Sequence, residues 1–266
     1  MSLYSTMQPK ASLYYCAAED IPSSSPDDVN IFLDASEIER YGRMCDIVAA
    51  QFLQGRRMVK QALSDVLAVS PSDIRFAYSD NGKPRLANDC GWHFNISHCN
   101  TAVVVAISKE NLGVDVEAVH RGRGKAPPPW QNSLNFMHAY TAEWVEQQES
   151  EEDKAKLFTL LWTLMESEVK LNDSSIFKAR KQLAIHVNRN AQQATAEVAT
   201  SVSSYGSGSR WLAFEGWGDA TGKDVVALAF SGLEPTLEFY CWQSPEVVAK
   251  QTPVKRLIGP AVNEYG

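Results

Sequence analysis

The segment Gly113-Val-Asp-Val-Glu117 holds two acids two residues apart, Asp115 and Glu117. On a strand such residues project from one face, so the carboxylates would stand side by side while Val114 and Val116 turn to the core. Like charges this close repel, and a proton, a cation or distance must relieve them. A hard divalent cation does so through oxygen ligands, and magnesium commonly takes one or two carboxylates while keeping positions for water and phosphate. The same alternation also describes an edge strand with a solvated acidic face. Further on, Trp162-Thr-Leu-Met-Glu-Ser-Glu-Val-Lys170 sets Glu166 and Lys170 four apart, where a helix brings them together. Exposed, that pair adds only about 0.3–0.5 kcal/mol. In a cleft, Glu166 would complete a three-carboxylate site and Lys170 would meet a phosphate.

Other positions have a plain structural reading and a chemical one. In Phe94-Asn-Ile-Ser-His-Cys99, Ser97 and His98 end an expected strand, where loops hold ligands. Adjacent Ser and His seldom form a nucleophile–base pair, and no GxSxG elbow is present. Arg56, Arg57 and Lys60 fall within one helical turn, giving a solvated basic face or an anion site. Asn81-Gly82-Lys83-Pro84 reads as a hairpin turn with an exposed lysine.

These residues need elements to hold them. The pattern predicts a strand at Leu13–Cys16, a helix over Ser36–Leu67 closed by Pro71, and strands at Ile74–Tyr78, Trp92–Ile96, Ala102–Ser108 and Val114–Glu117. A loop rich in cations and proline spans His120–Trp130. Helices follow at 131–148 and 153–172, then a Ser/Gly loop at 201–209 and strands at Trp211–Trp217 and Val225–Phe230. Ala102–Ser108 and Asp224–Ser231 are similar apolar runs, a hint of two related halves or simply two buried strands.

Composition bounds the rest. The chain has 266 residues, 44 % of them apolar, and a formal net charge of −7. This suits a soluble globular protein of one large or two modest domains. The acid excess argues against a broad nucleic-acid surface. No apolar run is long enough to span a membrane, and the N-terminus lacks secretory character. Five cysteines without a CxxC favour reduced thiols in the cytoplasm.

Taken in order, Gly82-Lys83-Pro84, Phe94–His98, Gly113–Glu117 and Trp162–Lys170 resemble the successive motifs of the 4′-phosphopantetheinyl transferases, in the longer, monomeric, surfactin-synthetase-activating type. The resemblance spans about residues 45–172. It implies an α/β (α+β) fold of two similar halves with pseudo-twofold symmetry, here 1–112 carrying coenzyme A-binding motifs and 113–266 carrying metal-binding and catalytic motifs. It implies transfer of the phosphopantetheine arm of coenzyme A to a serine of an apo acyl or peptidyl carrier protein, with release of adenosine 3′,5′-bisphosphate. Asp115, Glu117 and Glu166 match the magnesium ligands. Glu166 also matches the residue that takes the serine proton, and Lys170 a lysine that stabilises phosphate charge. Ser97 and His98 match contacts to the phosphates or the bisphosphate end, and Lys83 and Pro84 a segment beside the adenine. Lys60 aligns with a basic position near the 3′-phosphate, with Arg56 or Arg57 assisting.

Three positions depart from the family pattern. Met165 replaces a usual lysine, Gln51 stands where many members have arginine, and Glu168 adds an acid close to the site. Two other readings keep part of this chemistry: a metal-dependent phosphohydrolase of a nucleotide, and a non-catalytic coenzyme A-binding relative. Both substrates are acidic, so an acidic enzyme must concentrate its cations. Arg56, Arg57, Lys60, Lys83 and Lys170 would serve the nucleotide, and Arg121, Arg123 and Lys125 the carrier.

Overall fold

The structure, a computed structural model, describes residues 9–119, 130–177, 183–188, 193–198, 209–217, 220–231, 233–244, 247–250 and 253–258. The cations Arg121, Arg123 and Lys125 and most of the 201–209 loop lie outside the described residues.

The chain opens with β1 (Lys10–Ala17), then α1 (Pro26–Phe32), α2 (Ala35–Tyr41) and α3 (Asp46–Leu67). Next come β2 (Phe76–Tyr78), β3 (Pro84–Leu86), β4 (His93–His98), β5 (Ala102–Ser108) and β6 (Leu112–Ala118). Helices α4 (Trp130–Leu134), α5 (Ala139–Glu146) and α6 (Glu151–Leu171) follow. The rest is β7 (Leu183–Asn188), β8 (Gln193–Val198), β9 (Ser209–Trp217), β10 (Ala220–Ser231), β11 (Thr236–Ser244), β12 (Val247–Lys250) and β13 (Pro253–Ile258).

The single helix expected over Ser36–Leu67 is instead two, broken after Tyr41, and a further helix precedes them. Two capping boxes set these starts. Ser25 and Asp28 exchange hydrogen bonds around Pro26, and Asp34 and Glu37 do the same at α2. Helix α3 ends before Pro71, where Ala68 takes a left-handed conformation (φ 54°) and its N–H closes on the Ser64 carbonyl. The helix expected at 131–148 is likewise divided, because His138 caps α5 through Nδ1. Helix α6 has Ser150 at its N-cap, three acids in its first turn and Lys170 in its last, each complementing the helix dipole.

Two main sheets form, in the orders β12-β11-β1-β5-β4 and β13-β9-β10-β6. All their pairings are antiparallel except β1 with β11. Each half runs strand, long helix, two-stranded hairpin, strand, strand, and in each the third strand lies between the first and second: β1-β5-β4 and β6-β10-β9. The similar runs β5 and β10 occupy the same place in that order. The C-terminal strands β11 and β12 return to the first sheet, while β13 joins the second.

Three apolar seams hold the layers together. Met58, Val59 and Leu63 of α3 pack on one face of the first sheet. Its other face, with Leu13, Tyr15 and Val104, meets Val114, Val116, Phe214 and Leu228 of the second sheet. The far face of that sheet, with Trp211, Ala227 and Ala229, receives Phe158, Leu161 and Leu164 of α6. The order is therefore helix, sheet, sheet, helix. Each fully buried side chain of this size contributes about 1.5–3 kcal/mol, so the seams outweigh the surface ion pairs. Being covered on both faces, β5 reads as a continuous apolar run. Among the described residues no helix is long and apolar enough to cross a membrane.

Candidate active site

Val114 and Val116 occupy the seam between the sheets, so Asp115 and Glu117 face α6. Close approach makes this possible. A Cβ on Gly113 would lie 2.0 Å from the Ser167 carbonyl oxygen and 2.3 Å from the Leu171 nitrogen, so only glycine lets β6 rest against the α6 backbone. On α6, Trp162, Glu166 and Lys170 are each only partly buried at four-residue intervals. Oxygens of Asp115, Glu117 and Glu166 lie within 4.8 Å of one another.

Lys170 closes this group. Its Nζ donates to Asp115 Oδ1 at 2.6 Å and to Ser97 Oγ at 2.8 Å. Ser97 Oγ in turn donates to Asp115 Oδ1 at 2.7 Å and accepts the Val116 N–H at 3.3 Å. Asn95 Oδ1 accepts the Val114 N–H at 2.8 Å. Thus β4 lays its side chains along the edge of β6, which fixes Ser97 beside Asp115. Burial opposes a charge on Lys170, yet Asp115 first and Glu166 next hold its pKa above the ordinary lysine value.

Three carboxylates thus crowd together beside one ammonium, and like charges this close repel. Asp115 is 2 % exposed, and its Oδ2 is buried without a hydrogen-bond partner among the described residues. Such an orphaned oxygen costs about 1–3 kcal/mol or more. A hard divalent cation would take up that oxygen and relieve the repulsion among the three carboxylates, so the donor set fits one.

Beyond Lys170, at the C-terminal end of α6, a cavity of about 500 Å³ is lined by Lys83, Pro84, His93, Phe94, Asn111 and Asp173, among others. Lys83 Nζ reaches Asn111 Oδ1 at 3.1 Å and the Leu112 and Leu171 carbonyls at 3.4 Å. Burial pulls its pKa down to about 8, against the Asp173 charge. His98 sits exposed at the end of β4, its pKa lowered by desolvation and then by Lys170.

The α3 cations are buried rather than solvated. Arg56 Nε pairs with Glu37 at 2.6 Å, its guanidinium lies 4.6 Å from the Phe52 ring centroid, and Tyr78 OH donates to the same carboxylate at 2.6 Å. Lys60 is 2 % exposed, 5.4 Å from the Phe76 ring centroid, and burial lowers its pKa. Arg57 turns to α1 instead, 3.1 Å from Asp28, and donates to Gln54 at 2.8 Å. Arg56 and Lys60 thus share surroundings that Arg57 does not.

The residues that depart from the expected pattern have clear placements. Met165 is 1 % exposed in the apolar seam under α6. Gln51 is buried and donates to the Cys99 carbonyl. Glu168, expected close to the site, directs its carboxylate to Ser209 and Asn172, each at 2.7 Å, and desolvation raises its pKa. Sequence reading missed Asn95, Glu37 and Tyr78. The Asp34–Glu37 spacing is a capping-box signal that could have flagged Glu37, but nothing local points it at Arg56.

Residues 32–110 match the family described as 4′-phosphopantetheinyl transferase, N-terminal, and residues 111–214 match the 4′-phosphopantetheinyl transferase superfamily. The chain belongs to this superfamily. It is similar to the 4′-phosphopantetheinyl transferase gsp of Aneurinibacillus migulanus, 31 % identical over 122 residues, which is 46 % of this chain and 48 % of that one. The transferase HetI of a Nostoc species is 26 % identical over 184 residues, 66 % of this chain and 75 % of its own. Sfp of Bacillus subtilis is 24 % identical over 144 residues, 54 % and 61 %. The matched stretch thus spans about half the length of the first of these relatives. Both transferase matches meet at the turn between β5 and β6, and the carboxylate strand opens the second of them.

Proposed function

We propose that the protein moves the 4′-phosphopantetheine arm of coenzyme A onto a serine of an apo acyl or peptidyl carrier protein. The observation that carries this reading is the trio Asp115, Glu117 and Glu166, closed by Lys170 and backed by the orphaned Asp115 Oδ2, next to a cavity with a half-buried lysine. Asp115, Glu117 and Glu166 would hold Mg2+. When bound, that ion polarises the attacked phosphorus and offsets charge on the leaving bisphosphate.

The chain's own groups supply the rest. Lys170, kept charged by Asp115 and Glu166, neutralises negative charge that grows on the phosphoryl oxygens. The carrier serine forms a new O–P bond while the P–O bond to adenosine 3′,5′-bisphosphate breaks. Glu166 receives the serine proton, directly or through water. A carboxylate that also holds a cation is a weak base, so its contribution is chiefly one of placement. Ser97 and His98 face the phosphates, Lys83 and Pro84 flank the adenine end in the cavity, and Lys60 with Arg56 serves the 3′-phosphate side, while Arg57 is taken up by Asp28 and Gln54. One chain supplies both halves of the cleft, so a monomer suffices. Among the described residues, which include all five cysteines, no disulfide forms, which suits a reducing cytoplasm.

Incubation with coenzyme A, Mg2+ and an apo-carrier should add one phosphopantetheine arm, read as a mass gain of the carrier. No gain with several carrier types would sink the reading, and release of the bisphosphate without any carrier would mark a phosphohydrolase instead.

Lys83 gives this proposal a pH signature. A lysine with pKa about 8 loses its charge as pH rises through that value. Coenzyme A affinity is therefore expected to fall above pH 8, approaching tenfold per pH unit if the charge is essential. Titration calorimetry on wild type and Lys83→Gln measures this: the variant should bind weakly and lose the alkaline decline. An identical decline in both proteins would remove Lys83 from the site.

A further inference from the structure

Asp224 is a buried carboxylate that the transfer reading leaves unused. It lies on β10, 2 % exposed, opposite Ala118 and one step along from the pair Val225–Glu117. Its neighbours two and four residues on, Val226 and Leu228, belong to the apolar seam between the two sheets. Asp224 therefore faces the first sheet at one end of that seam.

Both of its oxygens are held by the other half of the molecule. Tyr15 of β1 donates its hydroxyl to Oδ2 at 2.5 Å, and Thr101 donates Oγ1 to Oδ1. Burial first, and then the Asp224 charge, raise the Tyr15 pKa, so the phenol remains a donor. Thr101 sits in the turn Cys99–Thr101, which follows Ser97 and His98 directly. That turn is gripped from three sides. Gln51 of α3 donates to the Cys99 carbonyl, the Ala18 N–H donates to the Thr101 carbonyl at 2.7 Å, and Asp224 accepts from the Thr101 side chain. Only the last of these reaches across to the sheet that carries Asp115 and Glu117.

A charge in an apolar seam is costly. A well-packed apolar side chain in its place is often neutral or stabilising, and the best-attested use of such buried polar groups is to fix register. We propose that Asp224 is a positioning residue: through Thr101 it sets the turn after His98 against the carboxylate strand, and so sets how the phosphates of coenzyme A seat. This rests on the reading of His98 as a phosphate contact. Asp115, Glu166 and Lys170 are held by β6 and α6, outside this link, so the bond-making step should survive its loss while substrate seating should not.

The test uses the full chain with Asp224→Asn, Thr101→Val and the double variant, assayed with coenzyme A, Mg2+ and apo-carrier. Each single variant should raise KM for coenzyme A about tenfold, the scale expected from a small misplacement. Turnover at saturation should stay within about threefold of wild type. Both changes break one link, so the double variant should be no worse than the singles. A merely structural role would lower the melting temperature and the active fraction but leave KM alone. Thr101→Val keeps the test decisive if Asp224→Asn folds poorly. An unchanged KM in the variants that fold, a loss confined to kcat, or additive effects in the double variant would overturn the proposal. If wild type transfers nothing, the functional reading fails instead, and calorimetric coenzyme A affinity of the same variants then decides the role of Asp224.

Discussion

Asp115→Asn is expected to abolish transfer while the protein stays folded. Asparagine keeps the shape but removes the charge at the centre of the site, the group that Ser97 and Lys170 both contact and whose second oxygen is orphaned. Loss of one ligand from a three-carboxylate set, with the new amide presented to Lys170, should cut the rate by about 10³-fold or more.

The stability cost should be modest by comparison. Breaking a fully buried pair costs about 3–5 kcal/mol because the remaining charge is stranded. Here the Lys170 side chain is 26 % exposed and still has Glu166 nearby, so a loss of about 1–2 kcal/mol is expected. Repulsion among the three carboxylates is also relieved. The carrier mass assay and circular dichroism read the two effects separately. A third readout does not depend on turnover: Mg2+ should raise the melting temperature of wild type by mass action and leave the variant's unchanged. Undiminished turnover in Asp115→Asn would disprove the role assigned to the carboxylate.

The readable parts of this protein are those where local pattern and environment coincide. Val114 and Val116 alternate with Asp115 and Glu117 because one face of β6 meets a sheet and the other meets α6, so strand periodicity alone showed which side chains share a face. Ala102–Ser108 reads as buried because layers cover it on both sides. The α3 cations fail the same test. Their spacing describes a solvated basic stripe, but Glu37 and Asp28, which bury Arg56 and Arg57, come from separate short helices. Nor can the parallel pairing of β1 with β11 be inferred locally, since the two strands are joined only through the whole of both halves. The short helices were closer to legible: Ser25–Asp28 and Asp34–Glu37 are capping-box spacings. Met165 shows the limit of pattern matching. Its place in the family motif suggests a missing cation, whereas its side chain fills the seam under α6.

Gly113→Ala should be the most damaging small substitution in the fold. The added carbon would stand 2.0 Å from the Ser167 oxygen and 2.3 Å from the Leu171 nitrogen, both backbone atoms of a 21-residue helix. No rotamer relieves a clash with backbone; β6 or α6 must move. Overpacking usually costs about 1–3 kcal/mol, and rigid groups on both sides put this case at about 3 kcal/mol or more. Separation of the two elements should also harm the site, because Asp115 belongs to one and Glu166 and Lys170 to the other. The expected result is a large fall in the urea midpoint, with reduced transfer by the protein that remains folded. Gly42→Ala is the matched control: its nearest neighbour would be the Ile38 carbonyl oxygen at 3.6 Å, so its midpoint should hold or rise slightly. Equal midpoints for Gly113→Ala and wild type would mean that β6 and α6 are not in this contact, and with it would go the reason Asp115 meets Lys170.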